Sequence, residues 1–474
     1  MRLDKAVVLT GRRGRVHAGS EDVPPRAILG LPMLERALLT AFQAGVKEFI
    51  LIGEDADTGK AVVSSLGDDK RFKEREMRLE YVSLSGLSDR FFREGPGGRF
   101  WLMEGDLVFA PAVLERAAQD DPGGDRDLLV TDRLEAGEPG ERPVIKTADD
   151  GRTIEAFGEG SGGSAASYAG LGLCSGETLG RLAEAFTKHG SVRLDTDVLA
   201  ETFDPARTLA FAAAPDFCET VTSMASAKRA ERYLLGTARK PTDGFFSRNF
   251  NRYISTFLTR YLLKINVPPM EISVVVLFVG LLSGWLEGKG GYRNAVLGAF
   301  LFELASIIDG CDGEDARLTF RSSKFGGTLD VAGDALTFVF FFMNLPIGLY
   351  RSTWNNLWLI LGGISLLSMI LFYVQFSIYT QRSGIGNHIV TVVKDIEKGA
   401  GRPGISGKID WIASKIAPVY RRDFFATWAF LIILFGGAKI FMGILTVLTP
   451  AEAVYIFFYS RRRLRQEKTA GVEA

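Results

Sequence analysis

The sequence predicts an α/β, Rossmann-like soluble N-terminal domain followed by an all-α membrane domain of six transmembrane helices. Three observations carry that expectation. A chain of 474 residues is too long for one ordinary domain. Its 56 basic and 56 acidic residues cancel, but the average hides a split between a mixed, charged first half and an apolar second half. Strand-like and helix-like runs alternate through roughly the first 225 residues, whereas beyond residue 266 the apolar runs approach the ~20 residues that a bilayer requires.

In the first half, residues 6–10, 48–52, 79–82 and 100–103 read as buried strands, and residues 32–44 and 111–118 as helices. Such alternation argues for a mostly parallel sheet with helices on both faces. A ligand would then sit at the carboxyl ends of the strands. Domain boundaries are expected at 1–225 for this unit, 226–266 for a linker with an amphipathic helix, 267–460 for the membrane domain and 461–474 for a basic tail.

Residues 245–266 space Phe245, Phe246, Phe250, Ile254, Phe257, Leu258, Tyr261 and Leu262 near a helical period, with Arg and Lys between them. That pattern fits a helix in the headgroup plane, or one packed on the soluble domain. Six apolar runs follow, at 268–286, 292–308, 331–350, 355–379, 422–436 and 438–459, the last two divided by Gly436-Gly437. Basic residues gather before the first run (Lys240, Arg248, Arg252, Arg260, Lys264), after the fourth (Arg382 to Arg422) and after the sixth (Arg461, Arg462, Arg463, Arg465). Six spans put all three groups on one side, which the positive-inside bias makes the cytoplasm. The expectation is a multi-pass inner-membrane protein with both termini cytoplasmic. The N-terminus shows no signal-peptide pattern.

Between the second and third runs lie Asp309, Asp312, Asp330 and Asp334. Carboxylates at a membrane boundary are costly unless they pair or bind a cation. Asp309 and Asp312 stand at i and i+3, Asp330 and Asp334 at i and i+4, so on two helices each pair shares a face. Two such faces turned together make an oxygen-rich site for a hard divalent cation such as Mg²⁺. The bland alternative makes them caps and solvated turn residues; Asp334, inside an apolar run, speaks against it.

These residues resemble the CDP-alcohol phosphotransferase family, whose pattern is D-x-x-D-G-x-x-A-R, eight residues, then G-x-x-x-D-x-x-x-D. Asp309, Asp312, Gly313, Ala316, Arg317, Gly326, Asp330 and Asp334 fill every fixed position. The resemblance covers roughly residues 240–460. The wording Asp-Gly-Cys-Asp-Gly-Glu, and Lys240-Pro-Thr-Asp-Gly244 with Ser247-Arg248 and Asn251-Arg252, look most like the branch that makes di-inositol phosphates from CDP-inositol and inositol phosphate. The resemblance implies transfer of a phosphoalcohol group from a CDP-alcohol to an acceptor hydroxyl with release of CMP. By the same token Asp309, Asp312 and Asp330 hold one Mg²⁺ or two, with Mn²⁺ an alternative, and Asp334 is a further ligand or the general base. Gly313, Ala316, Arg317 and Gly326 would line the nucleotide site. Arg382 and Lys394 are the candidates for a phosphorylated acceptor. One departure is Pro269-Met-Glu-Ile-Ser273, where the family has Pro-Asn-x-x-Thr.

The opening resembles nucleotidyltransferases that activate sugar and polyol phosphates. Leu9-Thr-Gly-Arg-Arg-Gly14 stands for the glycine-rich loop, Pro25-Arg26 and Gly30-Leu-Pro32 for later signatures, and Asp106 for a metal-binding Asp. Two arginines interrupt the loop, and residues 217–223, Phe-Cys-Glu-Thr-Val-Thr-Ser, lack a second Asp. A cytidylyltransferase needs two carboxylates to hold Mg²⁺ against a triphosphate. A retained fold with lost chemistry and a bifunctional enzyme that makes its own CDP-alcohol from CTP both stand. Arg12, Arg13 and Arg26 could hold a phosphate passively.

Three cysteines without paired spacing and three scattered histidines give no disulfide framework and no zinc pattern. Zero net charge offers no field for nucleic acid. Expected partners are a CDP-alcohol donor, an alcohol or phosphorylated-polyol acceptor, membrane lipids and a second copy in a homodimer. The rival reading is a divalent-cation carrier, which has no need of Gly313, Ala316, Arg317 and Gly326 at fixed gaps.

Overall fold

The computed structural model describes residues 3–10, 26–87, 98–133, 142–158, 164–239, 247–321, 324–383, 408, 411 and 422–470, with backbone alone at 133, 324–331, 383 and 464–470. The chain divides into two compact units, Met1–Gly236 and Thr237–Ala474.

The first unit is built on a nine-stranded sheet. Its parallel part runs β5 (Arg78–Ser83), β4 (Glu48–Gly53), β1 (Lys5–Leu9), β6 (Arg99–Glu104). These are the four strands expected from sequence, and their apolar residues are largely buried in β1, β4 and β6, the last through Phe100, Trp101, Leu102 and Met103. The sheet is mixed rather than mostly parallel. The long strand β11 (Ser164–Ser175) pairs antiparallel with β6, β8 (Asp127–Arg133) and β9 (Val144–Thr147); β10 (Ile154–Phe157) closes one edge on β9, and β12 (Thr208–Ala212) lies parallel to β8. β11 reads Ser-Ala-Ala-Ser-Tyr-Ala-Gly-Leu-Gly-Leu-Cys-Ser, with no β-branched residue, so its strand character comes from burial between neighbours and not from propensity.

Helices α1 (Met33–Gln43), α2 (Ala56–Asp68), α3 (Lys70–Lys73), α4 (Pro111–Gln119), α5 (Gly176–His189), α6 (Thr196–Thr202) and α7 (Met224–Thr237) complete the unit, with the short pair β2 (Ala27–Ile28) and β3 (Leu31–Pro32) before α1. α1 and α4 match the expected helices. Proline opens α4 at its first turn, where no backbone N–H is needed. Leu102, Leu129, Tyr168, Leu182 and Phe186 are fully buried in the core. A small ladder of β7 (Leu107–Phe109) with β13 (Cys218–Thr220) stands at the carboxyl end of β6.

The second unit is helical. A π-helical turn, Ser247–Asn251, leads into α8 (Arg252–Lys264). α9 (Pro269–Lys289), α10 (Tyr292–Thr319), α11 (Lys324–Thr353), α12 (Leu357–Ser383), α13 (Arg422–Leu434) and α14 (Ala438–Ala470) follow. Among the described residues five helices are long and apolar enough to span a bilayer, in α9, α10, α11, α12 and α14. The fifth expected run, at 422–436, holds α13, described over residues 422–434, and is not among these five. Phe278, Ile360, Leu367, Val447 and Phe458 are exposed on these helices, an outward apolar surface that suits lipid.

α10 extends well past the apolar run at 292–308. Asp309, Asp312 and the residues to Thr319 form its last three turns, so the acidic motif is helical and not a loop. The helix stops at Phe320, which adopts a left-handed conformation with φ 59°. α8 turns a small and polar face inward, with Arg252, Ser255, Thr256 and Thr259 buried, and leaves Phe250, Tyr253, Ile254, Phe257 and Tyr261 exposed. Its buried face holds Glu314, which is wholly buried and accepts from Arg252 NH1 at 2.9 Å, Ser255 Oγ at 2.7 Å and Thr259 Oγ1 at 2.7 Å.

Small residues set how closely α9 approaches α10 and α11. A Cβ on Gly284 would stand 2.6 Å from Phe340, and one on Gly348 would stand 1.9 Å from the Glu287 carbonyl oxygen. Beyond this seam Phe302, Phe338, Phe341, Phe425 and Phe441, from four helices, form an aromatic core. The three cysteines are buried without disulfides: Cys174 and Cys218 in the sheet unit, Cys311 in α10.

Two predictions follow from this packing. Gly348→Ala meets backbone, which cannot yield cheaply, and should cost about 1–3 kcal/mol. Gly363→Ala points into open space and should be neutral. Thermal melting of the two variants in detergent checks the contrast; equal midpoints would refute the close seam. Glu314→Ala leaves the Arg252 guanidinium buried without its carboxylate and should cost about 3–5 kcal/mol, with Glu314→Gln losing less because it keeps hydrogen-bond acceptors. Melting of that pair against wild type reads the difference.

Candidate active site at one end of the helical unit

The motif residues come from both sides of the turn between α10 and α11. Asp309, Asp312, Gly313, Ala316 and Arg317 occupy the last turns of α10; Gly326, Asp330 and Asp334 fall on the first turns of α11. The start of α9 and the start of α13 reach the same end through their side chains. Ser273 Oγ donates to Asp312 Oδ2 at 2.7 Å. Arg422 NH1 donates to Asp309 Oδ1 at 3.0 Å and also pairs with Asp334. Four helices thus converge on three of the four expected carboxylates. Side chains of Gly326 and Asp330 lie outside the described ones.

A cavity of about 20 Å³, room for one water, sits among Ser273, Leu277, Asp309, Gly333 and Asp334. Asp309 and Asp334, from different helices, meet on one cation, the guanidinium of Arg422. The Arg422 side chain is 9% exposed, and among the described residues its Nε and NH2 have no hydrogen-bond partner. The site therefore already selects positive charge and offers only hard oxygen donors, the set a Mg²⁺ or Mn²⁺ ion takes. The residues fit such an ion, although no group of three or more potential ligands stands fully assembled among the described side chains.

The neighbouring motif residues divide into two sets. Gly313 lies beneath Arg317, where an added Cβ would stand 3.2 Å from NH1. Arg317 Nε and NH2 donate to the Ala238 carbonyl oxygen at 3.0 and 2.7 Å, so its guanidinium anchors the chain entering α8 while NH1 overhangs Gly313. Gly310 gives α8 its close approach, since a Cβ there would stand 2.9 Å from Arg252 NH1. Arg382 is exposed at the carboxyl end of α12. Lys394 lies outside the described residues.

Sequence reasoning missed Arg422, which it counted among loop charges, and Ser273, which it treated only as a departure from a pattern. The signal for Arg422 was its place directly before an apolar run that begins Asp423-Phe-Phe. Glu314 was also missed. Its signal was an acidic residue inside the motif, offset to the opposite helix face from Asp309 and Asp312.

In the first unit, Asp106 follows β6 in the turn to β7. Val221 N donates to the Asp106 carbonyl oxygen at 3.0 Å, which continues the β7–β13 ladder by one residue. Position 221 therefore stands directly opposite Asp106, and it is a fully buried valine. Glu219, two residues back on the same face, accepts from Arg142 NH2 at 2.6 Å and is also bound by Arg229. The Glu104 carboxylate is 5% exposed and lies over Gly170, where a Cβ would stand 3.2 Å from Oε2. Arg12, Arg13 and most of the glycine loop lie outside the described residues; Arg26 is exposed.

The chain is similar to several known proteins. Residues 269–450 match the CDP-alcohol phosphatidyltransferase family. The chain is 26% identical over 337 residues to the bifunctional IPC transferase and DIPP synthase of Aquifex aeolicus, covering 69% of this chain and 73% of that one. It is 29% identical over 343 residues to the protein of the same description from Rubrobacter xylanophilus, covering 70% and 75%. Among solved structures, the inositol-1-phosphate CTP transferase from T. maritima covers 49% of this chain and 95% of its own, at 19% identity and a TM-score of 0.36. With the Asp309–Asp312–Asp334 convergence inside the matched segment, residues 269–450 are a CDP-alcohol phosphatidyltransferase domain.

Proposed function

We propose that the chain is an integral membrane transferase that moves a substituted phosphate group from a CDP-alcohol to an acceptor hydroxyl and releases CMP. The convergence of carboxylates from α10 and α11 on one cationic position, inside the family-matched segment, carries this reading. Asp309, Asp312 and Asp330 hold a divalent cation, Mg²⁺ or Mn²⁺, which when bound neutralises the donor pyrophosphate. Asp334 takes the proton of the acceptor hydroxyl as its oxygen bonds to phosphorus and the phosphorus–oxygen bond to CMP breaks. Ser273 holds Asp312 in place, and Gly313 with Ala316 and Gly326 leaves space for the nucleotide.

The printed descriptions of the relatives favour an inositol-phosphate donor and acceptor. An acceptor phosphate would meet Arg382 and Lys394. Exposed Phe250, Tyr253, Phe257 and Tyr261 suit α8 to the headgroup plane, beside the site's end of the bundle. With α13 counted as a span, before α14 and making six, the basic stretches share that face, so the site opens to the cytoplasm and both termini lie there. A homodimer is part of the reading. A cation carrier is disfavoured because the carboxylates gather at one end of the bundle, not along a path through it.

Purified protein with Mg²⁺, CDP-inositol and inositol phosphate should release CMP, tested beside CDP-diacylglycerol with inositol. Asp309→Asn, Asp312→Asn and Asp330→Asn should each lower turnover by about 100-fold or more, because each removes negative charge from the cation site. Near-wild-type turnover at saturating Mg²⁺ in any one would remove that residue from the set. Asp334→Asn should keep CDP-alcohol affinity and lose about 10²–10⁴-fold in transfer, the contribution of a positioned base. Equilibrium binding of the donor alongside single-turnover CMP release separates the two; loss of donor affinity matching that of Asp309→Asn would make Asp334 chiefly a ligand.

A further inference from the structure

Helix α8 has two unlike faces. The inner one is bonded to the motif helix. Arg252 NH1 donates to the Gly310 carbonyl oxygen at 3.3 Å and to Glu314 at 2.9 Å, and Ser255 Oγ and Thr259 Oγ1 each reach Glu314 at 2.7 Å. These partners lie on the turns of α10 that also carry Asp309 and Asp312.

The outer face is aromatic and basic. Tyr253, Ile254, Phe257, Tyr261 and Ile265 are exposed along it. Cations stand over its rings: the Arg239 guanidinium lies 4.7 Å from the Tyr253 centroid, and Lys264 Nζ lies 5.6 Å from that of Tyr261. Phe257 meets Tyr261 edge-on, with centroids 5.0 Å apart. Arg260 and Lys264 follow Phe257 at helical spacing, so both cations border the aromatic stripe. The charge on this stretch has one sign. Between Asp243 and Glu271 the sequence holds Arg248, Arg252, Arg260 and Lys264 and no acid.

Chain connectivity sets where this face stands. Only residues 265–268 separate α8 from α9, the first helix long and apolar enough to span a bilayer. α8 is therefore tethered at the bilayer boundary, beside the turn of α9 whose Ser273 meets Asp312. A contiguous exposed apolar stripe marks a contact surface. At this boundary the occupant that meets rings and cations together is the headgroup layer, where rings sit against the acyl chains and cations reach the phosphates. A zwitterionic headgroup brings its own cation. An anionic one offers net charge, and each Lys or Arg near such a surface strengthens the contact roughly fivefold.

We propose that the outer face of α8 docks on anionic phospholipid headgroups, and that this docking steadies the turns of α10 bearing Asp309 and Asp312. The proposal rests on the membrane placement given above and not on the transfer chemistry.

The test uses the full chain in nanodiscs of phosphatidylcholine and phosphatidylglycerol, with the photoreactive residue p-benzoylphenylalanine in place of Phe257. After irradiation, mass spectrometry identifies what is attached there. Phosphatidylglycerol should be attached about fivefold above its share of the bilayer, and Arg260→Gln with Lys264→Gln should return it to that share. Attachment at the bilayer ratio without those substitutions, or attachment to protein and not lipid, overturns the docking. Enrichment that survives the double substitution overturns its charge basis. Hydrogen exchange of residues 309–319 then compares nanodiscs with and without phosphatidylglycerol. The anionic lipid should slow exchange by up to about fivefold in wild type and leave the double variant unchanged. Equal exchange in wild type overturns the second clause. None of these readouts requires CMP release, so they hold whether or not the proposed transfer does. Extraction of the chain from membranes by alkaline carbonate would overturn the membrane placement, and the docking with it.

Discussion

At the motif end of the second unit, buried carboxylates are met by donors from the neighbouring helices. Glu314 is satisfied by α8, through Arg252, Ser255 and Thr259. Asp312 is met by α9 through Ser273, and Asp309 with Asp334 by α13 through Arg422. Asp309, Asp312 and Glu314 on α10 are each met from a different neighbouring helix. These contacts order the helices around α10 at the motif end, while elsewhere apolar packing is joined by interhelical hydrogen bonds such as Ser283 Oγ to the Gly298 carbonyl oxygen and Arg351 NH1 to the Gly288 carbonyl oxygen. Acids on the motif divide by face: Glu314 spends its charge on holding α8, and Asp309 and Asp312 turn theirs toward α11.

Glycine does complementary work along the bundle. Where α9 meets α11, Gly284 and Gly348 remove the side chains that would otherwise separate the backbones. In lipid there is no hydrophobic force to draw helices together, so close backbone approach and dispersion carry the association. At the motif end the same residue type serves another purpose, since Gly310 and Gly313 make room for the guanidinium groups of Arg252 and Arg317. The D-x-x-D-G spacing thus encodes a helix that is polar on one side and passable on the other.

How far the sequence was legible follows from where its signals were local. The four parallel strands β1, β4, β5 and β6 could be read because short aliphatic and aromatic runs mark them. β11 could not, since its Ala, Gly and Ser content has no strand preference and only its neighbours make it one. The acidic motif could be located, but α10 was placed too short, because hydropathy falls at Asp309 while helical hydrogen bonding continues to Thr319. Arg422 is separated from Asp309 by 113 residues. No periodicity links them, and the pairing exists only once α13 is packed.

The three buried cysteines have a practical consequence. Burial pushes the Cys174 and Cys218 thiols well above their ordinary range, and Cys311 is enclosed between α8 and α10 with its Sγ against the Ser255 carbonyl oxygen. Thiolate is the species that reacts with maleimides. The folded chain is therefore silent toward water-borne thiol reagents without any native cysteine being removed. A single cysteine introduced into any connecting segment becomes the sole labelling position, so membrane-impermeant and permeant reagents can map, residue by residue, which face of the bilayer each segment occupies.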